Sequence, residues 1–228
     1  MSKEVRERFS RIATNYDFMN HFLSLGLDRV WRDEAANETM LSRRSFSVLD
    51  SATGTGNLAF AVYENAREKG KLVKVEATDF VPQMLAIARA KAKRMGIDAI
   101  RFKTSDSLKT SYKNNSFDVI TTGFSLRNFD DVNRFLSESH RILRRNGKLV
   151  ILELALPDRT MQRLNFRIYS YFIRFTSLFA GRAYNWFVDS INNFDKHALR
   201  VRIRNAGFKN VRMRELASGV AFLLTAEK

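Results

Sequence analysis

A chain of 228 residues suits one domain with a sizeable insertion, and a hydrophobic content of 45% supports a substantial core and argues against disorder. It contains no cysteine, which excludes disulfides, thiolate metal sites and a cysteine nucleophile. The net charge of +15 is unevenly spread, with 12 Lys and Arg against 3 Asp and Glu in residues 158–214, so a surface for phosphates or anionic headgroups would lie there.

The charged start, Ser2 to Arg8, lacks the apolar segment of a signal peptide, and no apolar run approaches bilayer length, so an intracellular, cytoplasmic protein is expected. Ser47 to Asp50 reads as a short buried strand, followed by a glycine turn and a helix opening at Leu58 to Tyr63. Leu72 to Asp79 makes a second strand, and Pro82 starts a helix through Ala90 to Arg94. Ala99 to Lys103 and Phe117 to Thr122 are further strands. A helix from Val132 to Leu143 stops near Asn146-Gly147, and Lys148 to Glu153 makes a fifth strand. The chain then turns helical, aromatic and basic from Met161 to about Ile191. A helix from His197 to Asn205 and two strands, Val211 to Leu216 and Val220 to Ala226, complete it. Strands alternating with helices imply a parallel sheet covered on both faces, and a closing antiparallel hairpin is the arrangement of class I methyltransferases. The predicted fold is therefore α/β, a Rossmann-like seven-stranded sheet with a helical lid insertion. We divide the single domain into a helical cap (1–44), a cofactor-binding core (45–156), a lid (157–195) and a closing helix and hairpin (196–228).

The turn "LDSATGTGNLAF" (49–60) fits a dinucleotide fingerprint at Gly54, Gly56 and Ala59. An acid, Asp50, ends the strand before it, however, and an acid with close-approaching backbone suits the amino-acid end of S-adenosylmethionine better than a diphosphate. Asp79, at the end of the second strand, can accept both hydroxyls of a ribose, as it could in a NAD protein. Asp106, after the third, can accept the adenine amino proton. Ligands in open α/β sheets bind at the carboxyl ends of the strands, where all three acids are expected.

Along almost its whole length the chain resembles the UbiE/MenG family of ubiquinone and menaquinone biosynthesis C-methyltransferases. The residues carrying the resemblance are "FSRIATNYDFMNHFLSLGLDRVWR" (9–32), "VLDSATGTGNLA" (48–59), "ATDFVPQML" (77–85), "NNSFDVITTGFSLRNFDD" (114–131), "RILRRNGKLVILEL" (141–154) and "YNWFVDSI" (184–191). It implies S-adenosyl-L-methionine as cofactor, with Thr55, Asp79, Asp106 and Ser107 contacting it and Met84 packing on the adenine. It further implies Arg127 and Asn128 as acceptor-side catalytic residues, and Tyr16, Asp17, Tyr169 and Tyr184 as pocket-lining or proton-relaying groups. Ala52 and Thr53 stand where many methyltransferases have glycine and a small residue, and Gly123 where family members often have serine.

The segment "TGFSLRNFDD" lacks the Asn/Asp-Pro-Pro-aromatic arrangement of amide and amine methylation, and a pyrimidine C5 mechanism lacks its cysteine. The expected activity is ring C-methylation of a prenylated quinol, with residues 161–191 covering the acceptor and turning arginines to anionic lipid. Methylation of another small phenol or lipid stays open. An RNA-binding methyltransferase would use the same arginines and aromatics, but no nucleic-acid partner is expected. His21, His140 and His197 are scattered, so no metal is expected either. The sequence leaves a homo-oligomer open.

Overall fold

The computed structural model describes residues 3–180, 183–216 and 219–228. In chain order these form α1 (Lys3–Ile12), a 3-10 turn (Ala13–Asn15), α2 (Tyr16–Leu23), α3 (Leu27–Glu38), β1 (Ser45–Ser51), α4 (Asn57–Glu68), β2 (Leu72–Asp79) and α5 (Pro82–Met95). The chain continues through β3 (Ile100–Thr104), β4 (Phe117–Gly123), a 3-10 turn (Leu126–Asn128), α6 (Val132–Ile142), β5 (Leu143–Leu154), α7 (Thr160–Ala180), α8 (Ala183–Asn192), α9 (Lys196–Asn205), β6 (Lys209–Glu215) and β7 (Ala221–Glu227).

The strands make one seven-stranded sheet in the order β3-β2-β1-β4-β5-β7-β6. The first five are mutually parallel, and β7 runs antiparallel to both β5 and β6. This is the class I methyltransferase arrangement expected from the alternation of strand and helix patterns. The chain winds outward from β1 to β3, returns to the centre at β4 and winds the other way, which opens a crevice beyond the ends of β1 and β4.

Successive side chains of a strand point to opposite faces, so the central strands supply two cores. Val48, Val119 and Val150 join Trp31, Phe46 and Phe60 on one face, whereas Leu49, Ile120 and Ile151 join Phe135, Leu199 and Phe222 on the other. At about 1.5–3 kcal/mol for each large apolar side chain removed from water, these faces hold the sheet in register. Strand β4 is buried through six of its seven residues, while edge strand β3 is mostly exposed, because only the centre is covered on both sides.

Local chemistry sets the helix ends. Pro82 occupies the first turn of α5, and Gly96 closes it at φ 66°. Asp131 and Asp195 cap α6 and α9 by accepting from the Arg134 amide and from the His197 and Ala198 amides. One sequence expectation needs correction. Extended β5 structure begins at Leu143, directly after α6, and its register with β4 shifts between Phe117 and Val119, where Asn146 takes a left-handed φ of 60°. Asparagine tolerates that conformation, so what reads as a helix stop is an irregularity in a strand. The stretch from Met161, expected to be helical, forms α7 and α8.

Candidate active site

The glycine turn between β1 and α4 is built on left-handed backbone. Ala52, Gly54 and Gly56 have φ values of 56°, 57° and 87°. A Cβ on Gly56 would lie 2.9 Å from the Phe60 ring and 3.2 Å from Ala88, so this glycine lets α4 approach α5 and is not among the residues lining the crevice. Gly54 does line it, and its amide donates to Asp79 Oδ2 at 2.8 Å, which pins the turn to the end of β2.

The cleft is lined by Asp50, Gly54, Thr55, Asp79, Met84, Tyr16 and Asn128 among the residues expected at the site. Register places Asp50 beside Thr121 of β4, whose hydroxyl donates to it at 2.6 Å, and the Thr53 hydroxyl donates to its other oxygen. Asp50 is 0% exposed, and burial pushes its carboxyl up to about 6 against the pull of those two hydroxyls. Asp79 accepts from the Gly54 and Val81 amides, both at 2.8 Å, yet burial still raises its pKa. Among the described residues no cation bonds either acid, and a desolvated carboxylate of this kind can be compensated by a ligand that brings positive charge or hydroxyl donors.

Asn128 supports the same conclusion. It is 8% exposed and lines the cleft, and among the described residues neither its side-chain oxygen nor its nitrogen has a hydrogen-bond partner. A buried carboxamide without partners costs free energy that a bound ligand recovers. Met84 serves both the cleft and the packing of α5, because it forms a small cluster with Ala13 and Val81 that Phe9 and Tyr16 join. Phe9 and Tyr16 of the N-terminal segment also line the cleft, which has ≈ 50 Å³ of free space.

The structure does not bring all the expected residues together. Asp106 and Ser107 are not among the lining residues: Asp106 accepts from the Leu108 amide at 3.0 Å, and buried Ser107 bonds the Ser51 hydroxyl at 2.8 Å. Asp17 accepts from Thr55 and from Asn57 at 2.9 Å, and pairs with Lys91 at 2.8 Å. It thereby ties α2 to the start of α4. Those partners hold its carboxyl below its ordinary value even though burial opposes them. The side chain of Tyr184 lies outside the described residues.

A second, larger chamber of ≈ 350 Å³ adjoins the cleft at Phe124, which lines both. Its walls come from α2 and α3 (Leu23, Leu27, Trp31), β5 (Leu154), α7 (Phe166, Tyr169) and α8 (Phe187, Ile191). The Tyr169 hydroxyl donates to the Leu23 carbonyl at 2.7 Å, fixing α7 against the end of α2. Phe124 has a φ of 57°, an outlier for a bulky residue, and the strain sets its ring between Trp31, at 6.2 Å, and the Arg32 guanidinium, at 5.2 Å.

Arg127 lines the chamber, but its charge is already matched. Nη1 pairs with Glu153 and donates to the Phe124 carbonyl at 3.1 Å, and Nε donates to Ser190 at 3.1 Å. Glu153 is wholly buried and also accepts from the backbone amides of Arg127 and Leu154. Sequence reasoning missed Glu153, which reads only as a polar residue in an apolar strand, and it assigned no role to Trp31 or Arg32. The Tyr16 phenol is pushed up by burial, while Asn20, Arg127 and Arg32 pull the other way, so it stays protonated at neutral pH. Among the described residues no cluster of three or more His, Cys, Asp and Glu could hold a metal, and no helix is long and apolar enough to cross a membrane.

The ubiE/COQ5 methyltransferase family matches this sequence over residues 1–228. The chain belongs to that family. As a ubiE/COQ5 member it is an S-adenosylmethionine-dependent methyltransferase, and the cleft suits that cofactor, with Asp50 and Asp79 available to an ammonium and a ribose. It is 36% identical to the demethylmenaquinone methyltransferase of Bacteroides fragilis, over 100% of this chain and 93% of that one. The demethylmenaquinone methyltransferase of Deinococcus radiodurans is 38% identical over 98% of this chain and 92% of its own. For the ubiquinone/menaquinone biosynthesis C-methyltransferase of Rickettsia bellii the values are 28%, 98% and 92%. Solved structures share the fold. An S-adenosylmethionine-dependent methyltransferase from Methanococcus maripaludis superposes with a TM-score of 0.71 at 18% identity, covering 100% of this chain and 97% of that one.

Proposed function

We propose that this ubiE/COQ5 methyltransferase methylates a ring carbon of a prenylated quinol precursor, demethylmenaquinol or a close relative. The observation that carries the reading is the pairing of a cleft that holds two buried acids, Asp50 and Asp79, with a larger, mainly apolar chamber across one strained residue, Phe124. The names of the Bacteroides and Deinococcus relatives support the same substrate class.

When bound, the cofactor supplies an electrophilic methyl group on a sulfonium. The chain's own contribution is alignment, because an in-line displacement gains most from holding both partners at near-attack distance. Asp50 takes the ammonium, Asp79 the ribose hydroxyls, and Met84 packs on the base. Asp106 and Ser107 reach the adenine only if the β3 turn moves toward the cleft. A quinol ring carbon becomes nucleophilic as a neighbouring hydroxyl loses its proton. Asn128, with both polar atoms unpartnered, orients that hydroxyl or a water. The protonated Tyr16 phenol is a donor for the developing phenolate. Arg127, neutralised by Glu153, acts by fixing the Phe124 carbonyl and the turn that carries Asn128.

Residues 157–195 are the lid of this reading. Met161, Leu164, Ile168 and Tyr171 of α7 are exposed, as are Phe18 and Phe22 of α2 and Leu25 beyond it, and Arg163 and Arg167 stand exposed on α7. Apolar groups beside basic ones at the rim of an apolar chamber suit the surface of an anionic bilayer, where a prenylated acceptor resides.

The test is to incubate the purified protein with S-adenosylmethionine and demethylmenaquinol in anionic vesicles and look for the singly methylated quinol by mass spectrometry. Transfer to RNA with none to the quinol would overturn the reading. Co-sedimentation with anionic vesicles, reduced in Arg163→Glu with Arg167→Glu, checks the membrane arm.

A further inference from the structure

An S-adenosyl ligand brings three features to the cleft: a ribose diol, an ammonium and a carboxylate. The two acids account for the first two, and the carboxylate still needs a cation. Among the described residues that line the cleft, Arg32 is the one positively charged side chain.

Arg32 is built for such a role. It projects from α3, is 7% exposed, and is held by Nη1, which donates to the Asp28 carbonyl at 3.0 Å and pairs with the Asp28 carboxylate. Asp28 is fixed in turn by His21 Nδ1 at 3.0 Å and by the Ser24 hydroxyl at 3.1 Å. Among the described residues only Nη1 of this guanidinium has a hydrogen-bond partner, so the Nε and Nη2 donors remain for a ligand, and a guanidinium presents them in the planar fork that matches a carboxylate. The Phe124 ring packs 5.2 Å from its centre and fixes its plane. Arg32 is also close enough to Asp50 to act on it electrostatically, without bonding it.

We propose that Arg32 is the anchor for the α-carboxylate of the bound S-adenosyl ligand, opposite Asp50 for the ammonium. The inference rests on the cofactor reading given above. It assigns Asp28 as the positioning residue, which holds one edge of the guanidinium so that the other faces the cleft. The cap helices and the strand ends thus read the two charges of the amino-acid end from opposite sides.

Calorimetric titration of the full chain with S-adenosylhomocysteine and with 5′-methylthioadenosine, which lacks the amino-acid end, tests this. Removing Arg32 alone would leave the buried Asp28 carboxylate without its partner, so the variant is Arg32→Met with Asp28→Asn, compared with Arg32→Lys. The double variant should lose about 10- to 100-fold in affinity for S-adenosylhomocysteine and hold methylthioadenosine within about threefold. Arg32→Lys, which keeps the charge but not the fork, should lose less S-adenosylhomocysteine affinity than the double variant and leave methylthioadenosine binding unchanged. Equal losses for both ligands, or no loss for S-adenosylhomocysteine, would overturn the assignment. Failure of the unaltered protein to bind S-adenosylhomocysteine would overturn the cofactor reading instead.

Discussion

Asp50 should make cofactor affinity and fold stability respond to pH in opposite senses. Its carboxyl is 0% exposed, and burial pushes it from 3.8, its ordinary value in water, up to about 6 in the folded chain. A raised carboxyl pKa means that the folded state holds the proton more tightly than the unfolded state. The contribution of Asp50 is therefore most favourable below pH 3.8 and is lost as pH rises through about 6, to a cost of about 3 kcal/mol at neutral pH. Ligand binding has the reverse preference, because an ammonium pairs with the ionised form. S-Adenosylhomocysteine affinity should be nearly constant above pH 7 and fall about tenfold by pH 5, with uptake of a proton by the free protein that binding must release. Calorimetry in buffers of different ionisation enthalpy reads both quantities. The variant Asp50→Asn should bind the ligand at least about tenfold more weakly and yet be more stable to unfolding at pH 7.5, by about 2–3 kcal/mol. That stability gap should close as pH falls toward 4. A flat affinity from pH 5 to 8, or a variant less stable than the parent at pH 7.5, would refute the reasoning.

Asp79→Ala should weaken S-adenosylhomocysteine binding by about 1.5–3 kcal/mol, and it should also lower the melting temperature, since the Gly54 and Val81 amides lose their acceptor. Arg127→Met leaves Glu153 buried without its partner and should cost about 3–5 kcal/mol in chemical denaturation. In the fraction that stays folded at low temperature, turnover should fall while ligand affinity holds, and loss of ligand binding there would argue against an acceptor-side role. Gly56→Ala forces a Cβ onto Phe60 at a left-handed φ and should destabilise by about 1–3 kcal/mol, checked by urea denaturation.

The order of strands and helices was legible in the sequence because backbone periodicity is local: alternation and 3.6-residue spacing are set by neighbours a few positions apart. The turn at Gly54 and Gly56 and the acids Asp50 and Asp79 were legible for a related reason. Parallel crossover winding carries every strand's carboxyl end to the same edge, so residues that close successive strands meet without further information. Asp106 and Ser107 also follow a strand, but there the Asp106 side chain accepts from the Leu108 amide and Ser107 bonds Ser51 of β1, and neither lines the cleft, which strand order alone does not reveal. Tertiary structure alone decided that Arg127 spends its charge on Glu153, 26 residues away, and that Asp17 locks α2 onto α4 rather than entering the chamber. It also turned Arg32 of the cap toward the cleft of a core that begins thirteen residues later at β1. Which partner a charged side chain takes depends on how far its buried neighbours have shed water and on where distant elements dock. Neither quantity leaves a periodic trace in the chain.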